Sequence, residues 1–136
     1  DDYIHDVQQR LVMYKRIANT QSDTELKELQ VELIDRFGLL PQPLKNLIRQ
    51  TKLRHRAEQL GVARIEAGEQ RGRVIFNTTT QVDPLTLVTL IQKSPQHYRL
   101  DGSDTLRFEF PMETVEQRFE KIEALLTTLN QKVAAA

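Results

Sequence analysis

The stretches VARIEAG (residues 62–68) and RVIFN (residues 73–77) decide the fold, because the hydrophobic pattern changes its period there. Both alternate between apolar and polar residues or are rich in β-branched ones, which predicts strands. A loop around Gly68 to Gly72 joins them, so we predict a β-hairpin. An isolated hairpin is not stable in water, and this one therefore needs partners elsewhere in the chain.

A second hairpin is predicted further along the chain. The segments HYRL (residues 97–100) and LRFEF (residues 106–110) flank DGSD (residues 101–104), which is a good turn sequence. Between the two hairpins lies an apolar segment in which Asp83 suits an N-cap and Pro84 suits the first helical position. This segment is therefore predicted to be a helix.

Upstream of the first hairpin, apolar residues recur every three or four positions, which predicts three helices. They are expected over about residues 4–18, 23–37 and 43–60. Ser22 and Glu25 have the spacing of a capping box at the start of the second helix. Gly38 suits a left-handed cap at its end.

The predicted order is three helices, a hairpin, a helix, a second hairpin and a last helix from about Met112 to Val133. We expect the hairpins to join in one small antiparallel sheet with helices on one face, which is an α+β fold. A length of 136 residues suits a single domain, residues 1–136, with one core. The sequence lacks an initiator methionine, and we expect it to be part of a longer protein.

The composition excludes several kinds of catalytic or metal site. There is no cysteine, so a disulfide, a thiolate zinc site and a thiol nucleophile are impossible. The histidines His5, His55 and His97 are far apart, and neither a phosphate-binding loop nor a nucleophile elbow is present. No apolar run approaches the roughly 18 residues that span a bilayer. We therefore expect no catalytic residue, metal, cofactor or membrane partner for this chain.

Charge is balanced over the whole chain but segregated along it. Acids and bases number 19 each, so net charge gives no general attraction to nucleic acid. Residues 1–38 carry eight acids and five bases, whereas residues 39–73 carry eight bases and three acids. Residues 74–136 carry eight acids and six bases. A basic segment is thus flanked by acidic ones, and local surfaces are more informative than the total.

The second predicted helix separates apolar from acidic residues. At 100° per residue, its buried side is predicted to comprise Leu26, Leu29, Leu33, Ile34 and Phe37. The opposite side carries Glu25, Glu28, Val31, Glu32 and Asp35. One interpretation is a solvated surface, since single exposed apolar residues are common. The other is a docking strip, because carboxylates one turn apart can each accept a partner's arginine while an apolar neighbour excludes water.

The third predicted helix is basic. It carries five bases and no acid between Leu44 and Ala57: Lys45, Arg49, Lys52, Arg54 and Arg56. Without stacking aromatics or a Gly-rich loop, it suits only sequence-independent contact with nucleic-acid phosphates. An accessory DNA-binding module is therefore an alternative function. We favour a basic face near the acidic helix that supplies intramolecular ion pairs.

Three blocks of sequence carry a resemblance to a known family. They are YKRIA (residues 14–18), ELIDRFGLLP (residues 32–41) and LIQKSPQHYRLDG (residues 90–102). In this order and spacing, the chain resembles the C-terminal domain of the bacterial transcription-repair coupling factors, the Mfd family, over essentially its whole length. Only the last residues, NQKVAAA (residues 130–136), have no counterpart.

The resemblance implies a longer parent protein with an activity of its own. Members of the family are superfamily 2 helicase-like ATPases that translocate on double-stranded DNA and bind ATP and magnesium outside this domain. They push stalled RNA polymerase and recruit the UvrA excision-repair protein. A cytoplasmic bacterial protein of transcription-coupled DNA repair is therefore expected.

The resemblance also implies a role for the terminal domain. It is a regulatory, autoinhibitory clamp that packs on the N-terminal UvrB-like module and masks the surface that binds UvrA. In the family, the acids of the ELID block face arginines of that module, which corresponds to Glu32 and Asp35 here. Helix geometry alone adds Glu25, Glu28 and Val31. We expect the carboxylates of Glu32 and Asp35 to project outward and to be unpaired within their own domain.

Overall fold

The computed structural model describes residues 2–132, with side chains from residue 7 onward. Within this range the helices are α1 (Asp2–Ala18), α2 (Asp23–Phe37), α3 (Gln42–Leu60), α4 (Pro84–Lys93) and α5 (Val115–Leu129). The strands are β1 (Val62–Ala67), β2 (Arg71–Phe76), β3 (Tyr98–Asp101) and β4 (Thr105–Glu109). The predicted α+β class and order of elements are confirmed. The side chain of His5 lies outside the described residues. The predicted helix end at about Val133 is wrong, because α5 ends at Leu129 and Asn130 caps it.

The two hairpins form one antiparallel sheet, as predicted, and its strand order is β1-β2-β4-β3. In the central pair, Val74 lies opposite Leu106 and Gly72 opposite Phe108. Because directly opposed residues share a face of the sheet, this face is apolar, and Val74, Leu106 and Phe108 are almost completely buried. We call it the inner face and the opposite one the outer face.

Two compact units make up the chain, Asp1–His55 and Arg56–Ala136, and the boundary falls within α3. The first unit buries apolar side chains from α1, α2 and α3: Ile17, Leu26, Leu29, Leu33, Leu44 and Ile48. The second buries side chains from β2, β4 and α5 and from the segment before α5: Val74, Phe76, Leu106, Phe108, Met112, Leu125, Leu126 and Leu129. The expectation of a single domain stays a prediction.

The start of α5 differs from the prediction. Thr114 caps the helix, since its Oγ1 accepts a hydrogen bond from the Gln117 amide (3.1 Å) while Gln117 Oε1 accepts one from the Thr114 amide (3.0 Å). This reciprocal capping box fixes Val115 as the first helical residue. Met112 is instead fully buried, and its amide donates to the carbonyl of Glu69. The predicted start at Met112 is therefore wrong, and Thr-x-x-Gln was the signal for the true one.

The buried side of α2 is narrower than predicted. Leu26, Leu29 and Leu33 are buried, at the three- and four-residue spacing that places side chains on one line of a helix. Ile34 is 53% exposed and Phe37 is 41% exposed, so the prediction that they belong to the core is wrong. Ile34 follows Leu33 directly, and neighbouring side chains on a helix diverge by about 100°.

Candidate functional site

Hydrogen bonds at both ends fix α2, which carries the predicted acids. At its start, the Glu25 amide donates to Ser22 Oγ (3.1 Å). The Glu25 carboxylate accepts a hydrogen bond from the Gln21 amide (2.9 Å), whereas a regular capping box would use the amide of Ser22. At its end, the Gly38 amide donates to the Ile34 carbonyl (2.8 Å), and Gly38 has a φ of +75°. Glu25 thus already has a structural role.

The side of α2 away from its buried leucines is the candidate docking face, which we define by Glu28, Val31, Glu32 and Asp35. Residues three, four and seven positions apart share one side of a helix, and all four are exposed. Val31 has 69% of its surface exposed. The structure therefore brings the predicted acids and the predicted apolar residue together on one accessible side.

Glu32 is paired within the first unit, so the expectation that its carboxylate is unpaired is wrong. Both of its oxygens accept hydrogen bonds from the guanidinium of Arg16 in the last turn of α1, at 2.5 and 3.0 Å. The side chains remain 45% exposed for Arg16 and 43% exposed for Glu32. Exposed ion pairs add little stability, so the contact orients Glu32 without withdrawing it from solvent.

The end of α1 supplies this partner through residues whose roles the sequence left open. Tyr14 packs against the core of the first unit, and Lys15 is exposed. Arg16 lies 16 residues before Glu32, so helix periodicity alone does not reveal their contact. The pair becomes visible only when the packing of α1 against α2 is known.

Asp35 is the acid of the docking face that remains available. Its side chain is exposed, and no hydrogen bond or ion pair joins it to another residue within the described part of the chain. It lies one turn from Val31 and three residues from Glu32, on the same side of α2. Of the two acids expected to bind a partner's arginines, Asp35 therefore has the predicted geometry and Glu32 has it only in part.

An exposed apolar patch adjoins the docking face, and we define it by Ile34, Phe37 and Leu39. Leu39 is 95% exposed, and the guanidinium of Arg36 lies 5.3 Å from the centre of the Phe37 ring. A depression of about 210 Å³ is lined in part by Phe37, Leu39 and Tyr14. The candidate site is therefore an acidic strip beside an exposed apolar patch, and the sequence pattern did not indicate that patch.

Three of the five bases predicted as possible nucleic-acid contacts, Arg49, Arg54 and Arg56, interact with other residues of the chain. Arg54 donates to the carbonyls of Ala18 (3.0 Å) and Thr20 (2.8 Å), where the last carbonyls of α1 need donors. Arg56 donates to Thr127 Oγ1 at 2.9 Å. Of the remaining two bases, Lys45 is exposed and Lys52 is half-buried. The accessory DNA-binding role of this helix stays a prediction with fewer available residues.

The histidines that the structure describes have packing roles. His55 is buried and donates through Nε2 to the Thr20 carbonyl (3.0 Å). His97 donates through Nδ1 to the Glu109 carbonyl (2.8 Å) and stacks on Phe110. Among the residues with described side chains, no group of three or more potential ligands is arranged to hold a metal ion. No helix in the described part of the chain is long and apolar enough to cross a bilayer.

The contact with Arg16 predicts a pH dependence for Glu32. Its hydrogen bond to Arg16 holds the pKa of the Glu32 carboxyl below the ordinary value of 4.5, and the charge of Arg36 acts in the same direction. The pair is therefore present above the ordinary pKa and is lost as the pH falls through the lowered one. In Arg16→Gln we expect the pKa of Glu32 to rise toward 4.5, measured by carboxyl ¹³C NMR titration. Arg36→Gln should raise this pKa less, and an unchanged value in Arg16→Gln would contradict the contact.

The sequence of the chain matches a known protein family. The TRCF domain model matches residues 1–87. The transcription-repair-coupling factor of Escherichia coli (strain K12) is 42% identical over 135 residues, and that of Haemophilus influenzae is 48% identical over 129 residues. These alignments cover 99% and 95% of this chain but only 12% and 11% of the two relatives, so the chain spans a small part of their length.

A solved structure supports the fold independently. The crystal structure of the C-terminal domain of a transcription-repair coupling factor superposes with a TM-score of 0.68, over 98% of this chain and 88% of that one. Its sequence identity of 23% makes this evidence of fold alone. The family model covers more than half of the chain, and two relatives exceed 40% identity across nearly all of it. The chain therefore belongs to the TRCF-domain family of transcription-repair-coupling factors.

Proposed function

We propose that this chain is a regulatory, autoinhibitory domain of a transcription-repair coupling factor. It docks on an N-terminal UvrB-like module of the same parent protein and masks the surface of that module that binds UvrA. The single observation that carries the proposal is the exposed carboxylate of Asp35, which has no partner within the described residues and lies beside Val31 on the docking face. Membership of the family supports a role in coupling transcription to DNA repair.

The docking face suits a partner surface that presents arginines around an apolar side chain. Asp35 can accept a bidentate hydrogen-bonded pair from one guanidinium, which is the stronger type of ionic hydrogen bond. Val31, 69% exposed, lies one turn away and can exclude water from that pair. The exposed Ile34, three residues from Val31, extends the apolar contact on the same side of Asp35 as Val31. A charged strip with an apolar flank gives a partner a defined orientation.

Glu32 takes part in docking through an orientation that is set in advance. Arg16 holds both carboxylate oxygens, yet each oxygen has a second lone pair that can accept another donor. A partner's arginine can therefore share Glu32 with Arg16 or replace Arg16. Because the side chain is already fixed, less conformational entropy is lost on binding than for a mobile glutamate.

The composition of the face favours a contact that can be released. Exposed charge pairs are screened by salt over about 10 Å at 0.1 M ionic strength. Charged interfaces contribute specificity and association rate more than affinity. A mask of this kind is selective for its partner and still opens when the parent engages RNA polymerase.

The catalytic chemistry of the parent is proposed to lie outside this chain. The parent is an ATP-dependent translocase on duplex DNA that binds ATP and magnesium in its motor and displaces stalled RNA polymerase. This chain supplies inhibition and takes no part in catalysis. Recruitment of UvrA follows when the docking face leaves the UvrB-like module.

The proposal is tested by titrating the 136-residue chain with the separately expressed N-terminal module of its parent. Binding should be detectable by isothermal titration calorimetry in low salt and should weaken as salt is raised. Asp35→Asn should weaken it about tenfold, which corresponds to one charged hydrogen-bonded contact.

The matched control is Glu120→Gln, which removes one exposed negative charge from α5 and should leave the affinity unchanged. Equal losses in the two variants would mean that only the total charge matters. A titration at about 100 μM detects contacts with a binding free energy of roughly 5 kcal/mol or more. If no heat is measured at this concentration, docking in trans is contradicted.

A further inference from the structure

The outer face of the sheet is rich in arginine. Along each strand, alternate residues point to the same face, and the pairing register fixes which of them share it. The outward basic residues are Arg64, Arg71, Arg73, Arg99 and Arg107, and the outward acids are Glu66, Asp101 and Glu109. All five bases are arginine, whose planar fork binds phosphate and carboxylate through two parallel hydrogen bonds.

Three of these arginines form a row across adjacent strands. Arg73 on β2 lies opposite Arg107 on β4, and Arg107 lies opposite Arg99 on β3. Neighbouring strands are about 4.8 Å apart, so like charges are held close together on one surface. Such a row is repulsive in the free protein, and an anion laid across it relieves the repulsion.

The acids of the outer face accept hydrogen bonds from the Nε atoms of three arginines and not from their terminal nitrogens. Glu66 accepts from Nε of Arg73 at 2.6 Å and from Nε of Arg64 at 2.8 Å. Asp101 accepts from Nε of Arg107. In each case the terminal nitrogens have no partner among the residues with described side chains. The acids therefore orient the guanidinium groups and leave their outer donors available.

Two further arginines have no close partner. Arg71 is 3.9 Å from the nearest Glu109 oxygen and 75% exposed, and Arg99 is exposed without an ion pair to any described residue. Two open depressions of about 310 and 360 Å³ share Arg71 and Arg107 in their lining. His97 and Tyr98 also line the first one, but their rings pack against Phe110. The surface is thus continuous and accessible, with arginines on each side.

The remaining side chains of this face indicate the class of ligand. Folded protein partners need an apolar centre with aromatic anchors, whereas Ile75 is the only apolar residue among the outward positions of the four strands. Single-stranded nucleic acid needs exposed aromatic platforms, and the outward positions carry none. A ligand held by closely spaced phosphates, without unstacked bases, fits this face.

We propose that the outer face of the sheet binds the phosphodiester backbone of duplex nucleic acid. Contact is independent of sequence, since guanidinium groups on a flat sheet reach phosphates and not base edges. Four arginines take part: Arg71, Arg73, Arg99 and Arg107. This surface is separate from the docking face and from the basic residues of α3, and the proposal does not depend on the proposed regulatory function.

The test is a fluorescence anisotropy titration of the 136-residue chain against a labelled 20-base-pair DNA duplex (a length of about two helical turns) at several salt concentrations. Four phosphate contacts predict a slope of log K against log salt of about −3 to −4. The variant Arg71→Gln with Arg99→Gln should reduce the magnitude of the slope by about two, one for each contact. Both side chains are exposed, so the melting temperature should be unchanged.

The matched control is Lys45→Gln with Lys52→Gln, which removes the same charge from α3 and should leave the slope unchanged. Loss of binding in this control and not in the arginine variant would assign the contact to α3 and overturn the proposal. Poly-glutamate that binds as tightly as the duplex would overturn it as well, since the face would then be one for acidic peptides. If the chain does not bind the duplex in low salt, the proposal is overturned too.

Discussion

Full-length protein carrying Glu32→Arg and Asp35→Arg is expected to bind UvrA without prior engagement of RNA polymerase. The two substitutions turn the attraction between the docking face and the arginines of its proposed partner into repulsion, which destabilises the masked state. Coupling between two sites of a protein typically changes affinity about 5- to 150-fold, and we expect a change in this range for UvrA. The DNA-dependent ATPase activity should rise in parallel if, as proposed, the same masked state restrains the motor.

Glu32→Arg has a second effect that must be separated from docking. It places a new arginine against Arg16, which now holds Glu32 through two hydrogen bonds, and so it repels α1 from α2. Adding Arg16→Glu restores an ion pair of reversed polarity while the docking face stays positive. The variant with all three changes should therefore regain the melting temperature of the natural protein and still bind UvrA freely.

The measurements are UvrA affinity by surface plasmon resonance and ATPase rate, for the double and triple variants side by side. The gain in UvrA affinity and ATPase rate could be lost when Arg16→Glu is added to the double variant. This result would show that disturbed packing of α1 on α2, and not loss of docking, caused the gain. Unchanged UvrA affinity and ATPase activity in the double variant would reject the autoinhibitory role of this face. A fold-change of similar size in both variants is the expected result.

The sequence predicts the position of the docking face well because that position depends on local geometry. The acids Glu28, Glu32 and Asp35 recur at three- and four-residue spacing on a helix whose buried leucines define its other side. Such a pattern needs no knowledge of tertiary packing. The structure accordingly places all three acids and Val31 where the sequence does.

The contact of Glu32 with Arg16 depends on tertiary packing, and no periodicity reveals it. The third helix offers five bases and no acid in residues 44–57, which makes it the more obvious source of partners. Arg54, from that helix, instead satisfies carbonyls at the end of α1. The last carbonyls of a helix need hydrogen-bond donors. The pattern of charges along the sequence does not predict which side chain supplies them.

The arginine row on the outer face can be predicted only when the pairing between the two hairpins is known. Alternation along β2, β3 and β4 separates the two faces of each strand, so the sequence shows that the outward residues are polar or charged, with the exception of Ile75. Which arginines lie side by side depends on the pairing of β2 with β4, two strands of different hairpins. Hairpin signals fix pairing within a hairpin and leave the pairing between hairpins open.

Where β2 pairs with β4, Gly72 lies opposite Phe108 and close to its ring, which predicts a large loss of stability on substitution. Phe108 is 2% exposed, and Phe108→Ala should lower the free energy of unfolding by about 3–5 kcal/mol. A Cβ at position 72 would lie 2.4 Å from Cζ of Phe108 and 2.5 Å from the Glu66 carbonyl oxygen. Gly72→Ala should therefore cost about 1–3 kcal/mol through overpacking. Both values are measurable by urea unfolding.

The two losses should not add. With Phe108→Ala in place, the ring no longer occupies the space above position 72, and the added methyl group fills part of the cavity. The Glu66 carbonyl remains close, so the double variant should be less stable than the natural protein but more stable than the sum of the single effects predicts. Gly68→Ala is the control, because its Cβ would meet only the Arg71 carbonyl at an ordinary 3.6 Å. If the two losses in unfolding free energy add, the Phe108 ring and Gly72 act independently. The contact between them would then not explain the pairing register of β2 with β4. If they couple as expected, the same contact that excludes a side chain at position 72 also sets Arg73 opposite Arg107.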